Sequence, residues 1–256
     1  MRVLIKLGGT LLDQEESRRS VSAQIAAAAS GCELVVVHGG GKQMTRFLAE
    51  RGIESKFAGG LRITTPEVLD AVLKVFAGSV NHQLVASLVA AGARPVGLTG
   101  IDACLTEAEL LNPELGNVGK PVRANAELLT HLTGAGYLPV VACVAGDRQG
   151  NIYNVNADQM AVACAAGFGA RTLLFLTDVD GVRGSASELL PSLTAADARR
   201  LVADKVATGG MEAKLNAACE ALAGGVREVR IAPGAAPNVV SRLLAGEAMG
   251  TRLELG

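Results

Sequence analysis

Short runs of β-branched and leucine residues, each followed by a longer Ala/Leu-rich stretch, recur from end to end of this sequence and restrict what it can fold into. Val3–Leu7, Leu34–His38, Pro95–Leu98, Leu138–Cys143, Thr172–Leu176 and Glu228–Ile231 have the length and composition of buried strands. Between them the pattern predicts helices over Glu15–Ala29, Gln43–Arg51, Pro66–Ala91, Ala126–Ala135, Ala157–Gly167, Ala195–Ala203, Met211–Ala223 and Asn238–Ala245. Thr65-Pro66 is a good helix start, because Pro66 gives up an N–H that would have no partner anyway, and Gly92 and Gly224 are plausible stops. Strands apolar throughout and joined by helical crossovers imply an α/β protein with a mainly parallel sheet covered on both faces. Ser55–Ile63 and Ala103–Val122 are less regular and suit hairpins at a rim. The 256 residues allow one large domain or two tightly joined lobes, divided near Val144–Tyr153. The Gly/Asp/Asn content there fits a tight turn better than a tether.

Composition excludes several classes of function. Hydrophobic residues make up 49% of the chain, enough for a sizeable core and against disorder. The net charge is −1, aromatic residues amount to 3%, and no basic tail is present, so neither base stacking nor phosphate-backbone binding to nucleic acid is supported. Cys32, Cys104, Cys143, Cys164 and Cys219 are scattered without C-x-x-C spacing, which points to free thiols in a reducing cytoplasm and to no zinc site. The opening MRVLIKLGGTLLDQEE is not a signal peptide, since Lys6 interrupts a short apolar run and acids follow. No uninterrupted apolar run nears the ~20 residues that span a bilayer.

In an open α/β sheet ligands gather at the carboxyl ends of strands, and the unusual residues here sit at such ends. In IKLGG, Lys6 lies inside an apolar run, where an unpaired ammonium is costly, and Gly8-Gly9 let backbone N–H groups approach a ligand. A lysine snorkelling from a strand end beside a plain turn is the alternative. In VVVHGGGKQM, Gly39, Gly40 and Gly41 lead into a helix N-terminus, whose free N–H groups attract phosphate or carboxylate. It is not the nucleotide loop G-x-x-x-x-G-K-[ST]: Val36 replaces its first glycine and Gln43 the hydroxyl residue. His38 reads as a packed strand-end residue and Lys42 as a surface one. In YNVNADQMA, one of Asn154, Asn156 and Asp158 suffices to cap a helix, leaving another to bind ligand or orient a lysine. In TLLFLTDVDGV, Asp180-Gly181 reads as a turn, while Asp178 can face a nucleotide or its metal. In ATGGMEAKLNAA, Gly209-Gly210 can place a helix end at a phosphate, with Lys214 one turn inside.

Taken in order, IKLGG, VHGGG, GGLRIT, NVNAD, LTDVDGV and GGMEAKL resemble the amino acid kinase family over nearly the whole chain. The resemblance implies a three-layer α/β/α sandwich, with residues 1–150 binding an amino-acid substrate and mediating dimerisation and residues 151–256 binding ATP with Mg²⁺. It further implies phosphorylation of the side-chain carboxylate of N-acetyl-L-glutamate in arginine biosynthesis. The alternatives it leaves are a kinase for glutamate or aminoadipate held on a carrier protein, and a non-catalytic ligand-binding relative. By the same resemblance Lys6 and Lys214 stabilise the transferring phosphoryl, Asp158 orients both lysines, and Gly8 and Gly9 donate N–H groups to phosphate. Gly40, Gly41, Arg62 and Asn154 bind the substrate; Asp178, Val179, Asp180, Gly181, Val182 and Arg183, with Val206, Ala207 and Thr208, line the nucleotide pocket; no residue is a resident metal ligand. Lys42-Gln43 and the stretch Ile101–Leu115 depart from the family pattern. The chain starts directly on its first strand, from which the resemblance implies a homodimer insensitive to arginine rather than a hexamer; the missing signal peptide and scattered cysteines imply a cytoplasmic protein.

Overall fold

A computed structural model describes residues 1–255. In chain order the strands are β1 (Arg2–Leu7), β2 (Glu33–His38), β3 (Phe57–Ala58), β4 (Leu61–Arg62), β5 (Pro95–Thr99), β6 (Thr106–Leu110), β7 (Val118–Ala124), β8 (Leu138–Ala142), β9 (Val144–Gly146), β10 (Ile152–Val155), β11 (Thr172–Thr177), β12 (Ser192–Thr194), β13 (Glu228–Pro233) and β14 (Thr251–Glu254). The helices are α1 (Gly9–Asp13), α2 (Glu15–Ala29), α3 (Gly41–Ala49), α4 (Pro66–Val72), α5 (Asn81–Ala90), α6 (Ala126–Gly134), α7 (Ala157–Phe168), α8 (Ala195–Ala203), α9 (Gly209–Ala223) and α10 (Val239–Leu244).

The central sheet has the strand order β12-β14-β13-β11-β1-β2-β8-β5, and every neighbouring pair is parallel except β13–β14. Helices α2, α5 and α10 cover one face and α6, α7 and α9 the other, so the predicted α/β/α layering is what forms. β1 lies at the middle, and Val3, Leu4, Ile5 and Leu7 expose no surface at all. Its register pairs Leu7 with His38 on one side and with Leu176 on the other. The turns after β1, β2 and β11 therefore leave the sheet side by side, which is the geometric requirement for a shared site at its carboxyl edge.

The irregular stretches resolve into hairpins and a small barrel. β3 and β4 pair as a two-stranded antiparallel hairpin over Phe57–Arg62, and β6, β7, β9 and β10 close on one another. The suspected boundary at Val144–Tyr153 is the turn between β9 and β10, where the Asp147 carboxylate accepts from the Gln149 and Asn151 amides and from the Tyr153 hydroxyl. Strands β12 and β14 and the short helix α1 were not predicted. Gly92 takes φ +88 just after α5, but after α9 it is Gly225, at φ +96, that turns the chain rather than Gly224.

The predicted helix over Pro66–Ala91 forms, with one interruption: Leu73–Val80 is a π-helical segment between α4 and α5. By length and composition alone the continuous stretch Pro66–Ala90 could cross a membrane. Here Val68, Val72, Val75, Leu84 and Leu88 are buried, and Asp70 pairs with Lys74 on its outer face.

Because β1 joins both halves of the sheet, we expect Leu4→Ala to cost about 2–5 kcal/mol. The expected readout is a lower urea midpoint with an unchanged slope.

Candidate active site

Lys6 is the one charged residue among the buried side chains of β1, with 7% of its surface exposed. An ammonium so enclosed needs a counter-charge, and it finds the Asp158 Oδ1 at 2.7 Å. Asp158 sits in the first turn of α7, where its negative charge is also favoured by the helix dipole. The cap itself is Asn156, whose side-chain oxygen accepts from the Asp158 and Gln159 amides. The division of labour expected within NVNAD thus falls on Asn156 as the cap and Asp158 as the partner of lysine. Lys214, one turn into α9, reaches the other oxygen of the same carboxylate at 3.5 Å. Burial pushes the Asp158 carboxyl up, but the charges and hydrogen bonds of Lys6 and Lys214 outweigh that and hold it below the usual carboxylate range. The nearby Cys143 thiol is driven up to about 12, chiefly by burial and against the pull of Lys6, so it is no nucleophile.

The two glycine turns face each other next to this cluster. Gly8 departs from the sequence expectation: its N–H donates to the Leu176 carbonyl at 2.9 Å, extending the β1–β11 ladder, and is therefore not offered to a phosphate. Gly9 opens α1, whose first N–H groups have no intrahelical partner. A Cβ on Gly9 would come within 3.4 Å of the Gly41 nitrogen, so the turns after β1 and β2 nearly touch. Gln43, anomalous as a phosphate-loop residue, ties them together by donating to the Gly9 carbonyl at 3.3 Å. Gly40 is the N-cap of α3 and Gly41 its first residue. Arg62, at the end of β4, is buried against that same turn, donating to the Thr45 hydroxyl at 2.9 Å and to the Gly41 carbonyl at 3.3 Å with its charge over the Phe57 ring. Asn154 donates to the Thr64 hydroxyl at 3.0 Å, which in turn donates to the Arg62 carbonyl. Gly40, Gly41, Arg62 and Asn154 are thus gathered into one connected group.

Beside Asp158 and Lys214 lies a cleft of about 700 Å³, walled by the hairpin tip Gly59–Leu61, by the start of α7 and by one side of α9 from Gly209 and Gly210 on to Asn216. Sequence reasoning did not single out Gly59, Gly60 or Asn216; the GGLRIT glycines at a hairpin tip were the available signal. Asp178–Arg183 and Val206–Thr208 are not among the residues walling this cleft. Asp178 follows β11 directly, beside β1, and accepts from the Thr177 hydroxyl. Thr208 is the N-cap of the helix that carries Lys214. Asp180 and Arg183 pair with each other at the surface, as a turn would have it. Val182 does not fit its expected place on the nucleotide wall. It exposes no surface, its N–H donates to Thr251 and its carbonyl accepts from Leu190, so it is core behind the loop.

Two cations and a carboxylate leave a net positive charge at the sheet edge, beside helix N-termini that add to it. Such a site stabilises a multiply charged anion and carries no histidine base: His38 is sealed off and held neutral by burial, which lowers it to about 4. Among the described residues no three His, Cys, Asp or Glu side chains gather to cage a metal.

The sequence profile of the amino acid kinase family matches residues 1–233. The acetylglutamate kinase of Solibacter usitatus (strain Ellin6076) is 65% identical over 254 residues, covering 99% of each chain. That of Sulfurihydrogenibium sp. (strain YO3AOP1) is 36% identical over 98% of this chain and 91% of its own. Among solved structures, N-acetylglutamate synthase from Neisseria gonorrhoeae complexed with coenzyme A and N-acetyl-glutamate superposes with a TM-score of 0.88 at 24% identity; the match covers 99% of this chain and 59% of that one. Giardia carbamate kinase gives 0.74 at 15% identity, over 99% and 98%.

Asp158 links this geometry to pH. Its folded pKa lies below that of the unfolded chain, about 3.9, so its contribution to stability is complete above that value and is lost as pH falls through the folded pKa. In acid titrations followed by urea unfolding, Asp158→Asn should lose less stability than the parent below pH ~4.

Proposed function

This chain belongs to the amino acid kinase family, and on that premise we propose that it transfers the γ-phosphoryl group of ATP to the side-chain carboxylate of N-acetyl-L-glutamate. The reading rests on a single observation, the convergence of Lys6 and Lys214 on one carboxylate at the sheet edge, and the 65% identity to an acetylglutamate kinase names the acceptor. A carboxylate oxygen of the acceptor bonds to the γ-phosphorus as the bond to the ADP oxygen breaks. The products are an acyl phosphate and ADP. The acceptor, with a pKa near 4.3, is already ionised, so no proton moves and no general base is required. What remains is positioning and charge stabilisation, which is the usual share of the protein in phosphoryl transfer.

Within that reading the residues divide between two partners. Lys6 and Lys214 take the equatorial oxygens of the migrating group, Asp158 aims them, and the Gly9 amide joins from the α1 terminus. Residues 151–256 hold the nucleotide, with Asp178–Gly181, Arg183 and Val206–Thr208 around it. Mg²⁺ would accompany ATP and neutralise charge on its phosphates; Asp158, occupied by two ammonium groups, is not free to hold it. Residues 1–150 hold the acceptor: the Gly40 and Gly41 amides take one carboxylate, and the Arg62 fork, already facing α3, takes another. Free acetylglutamate is preferred to a carrier-bound acceptor because three of the basic residues near this mouth, Arg46, Arg51 and Lys56, are engaged within the chain, leaving Lys42 exposed. Arg46 pairs with Asp13 at 3.1 Å, Lys56 with Glu54 at 3.7 Å, and Arg51 stacks on Phe47. We also place the protein in the cytoplasm as a homodimer within arginine biosynthesis; its cysteines are all unpaired, and β5 ends the sheet on an open edge that a second copy can cover.

A hydroxamate-capture assay with ATP and N-acetyl-L-glutamate tests the proposal, and turnover only with a carrier-bound acceptor would refute it. Lys6→Ala and Lys214→Ala should each lower kcat by ~10²–10³, the usual cost of one transition-state donor. Arg62→Ala should act mainly on KM for the amino acid.

A further inference from the structure

We infer that His38 and Asn81 are positioning residues for the acceptor: together they fix the Gly39 carbonyl and so aim the Gly40 and Gly41 amides at the substrate carboxylate. The inference rests on the acceptor site described above and adds to it a buried support that reaches across the sheet.

His38 exposes none of its surface and Asn81 3%. The His38 Nδ1 lies 2.8 Å from the Gly39 carbonyl oxygen, which can only accept, so Nδ1 carries the proton. Nε2 is then a bare lone pair, and the Asn81 Nδ2 donates to it at 2.9 Å. The same Nδ2 donates its other hydrogen to the Val140 carbonyl in β8 at 3.0 Å. Both amide hydrogens and both ring nitrogens are thereby assigned, with one tautomer and one amide orientation consistent with the network. Only the neutral ring completes it, and burial keeps the ring neutral over the working pH range.

Two close approaches show that room was made for this arrangement. A Cβ on Gly97, in β5, would fall 2.2 Å from the Asn81 Oδ1, so Asn81 can lie against the sheet only over a glycine. A Cβ on Gly40 would fall 2.9 Å from the Phe76 ring and 3.3 Å from Val80. Phe76 and Val80 belong to the π-helical segment, and Asn81 follows it at once. A π turn inserts one residue and rotates everything after it by about a third of a turn relative to an α-helix. That rotation is what lets one helix press Phe76 and Val80 on Gly40 and still bring Asn81 onto His38. A buried polar pair with no functional role would be satisfied without holding a ligand turn between its ring and a wide helical turn.

The test is steady-state kinetics on the full chain, with the parent protein assayed first. A parent that fails to phosphorylate N-acetyl-L-glutamate overturns the acceptor assignment and this inference with it. Given an active parent, His38→Leu should raise KM for N-acetyl-L-glutamate about tenfold, as expected for one misplaced hydrogen-bonding turn, while KM for ATP stays within about twofold. His38→Asn, whose side-chain amide can stand in for the Nδ1 donor, should recover most of the loss. Gly97→Ala, outside both ligand sites, should shift the acceptor KM in the same direction and carries the test if His38→Leu does not fold. An unchanged acceptor KM in these folded variants, equal changes for both substrates, or no rescue by His38→Asn would overturn the inference and leave the kinase reading intact.

Discussion

One buried carboxylate holds this site together. Asp158 accepts the ammonium of Lys6 from the central strand and that of Lys214 from a helix entering more than two hundred residues later. Lys6 would not be tolerated where it stands without it, because an enclosed cation with no partner costs several kcal/mol, whereas Lys214 is half-buried on the wall of the cleft. Buried ion pairs gain little net stability over a well-packed apolar alternative. The economical account of a lysine inside β1 is therefore functional, and the proposed role follows from it: one carboxylate holds two cations close together beside an open cleft, where an anion can draw on both.

The parallel sheet makes the convergence possible. Because β1 pairs with β2 and β11 in level register, the turns after all three emerge on one edge. Gly9 approaches Gly41 there closely enough that the two glycine turns meet across a few ångströms. Gln43 joins the two turns from one side, and His38, Asn81 and the π segment brace the second from beneath. Effective phosphoryl transfer requires the reacting atoms to be held in line at close range, and here the placement is built into main chain rather than left to long side chains.

How much of this could be read from the sequence depended on how local the determinants were. Six of the eight strands of the central sheet, all but β12 and β14, and their crossover helices were legible because periodicity and apolar content are local properties. So was Lys6, since a charge in a buried strand is costly wherever its partner lies. The partner was less so: NVNAD offers Asn154, Asn156 and Asp158, and only the path of α7 decides that Asn156 caps while Asp158 meets the lysines. Gly8 and Gly9 look equivalent in the sequence, yet the β1–β11 ladder takes the amide of Gly8. Val182 sits in a polar D-x-D-G-V loop and still faces inward, because Thr251 and Leu190, far along the chain, close over it. The π segment left no local mark at all: a wide turn is chosen by what it must pack against, here Gly40, and not by the helix propensities of LKVFAGSV.

The most direct test is a crystal structure with ADP, aluminium fluoride and N-acetyl-L-glutamate, which together mimic the phosphoryl group in flight. The Lys6 and Lys214 ammonium nitrogens should both lie about 2.7–3.2 Å from fluoride, with Asp158 still between them and the substrate carboxylate in line. An ammonium group that stays turned away from the fluoride, or a fluoride bound elsewhere on the chain, would contradict the shared-phosphoryl account.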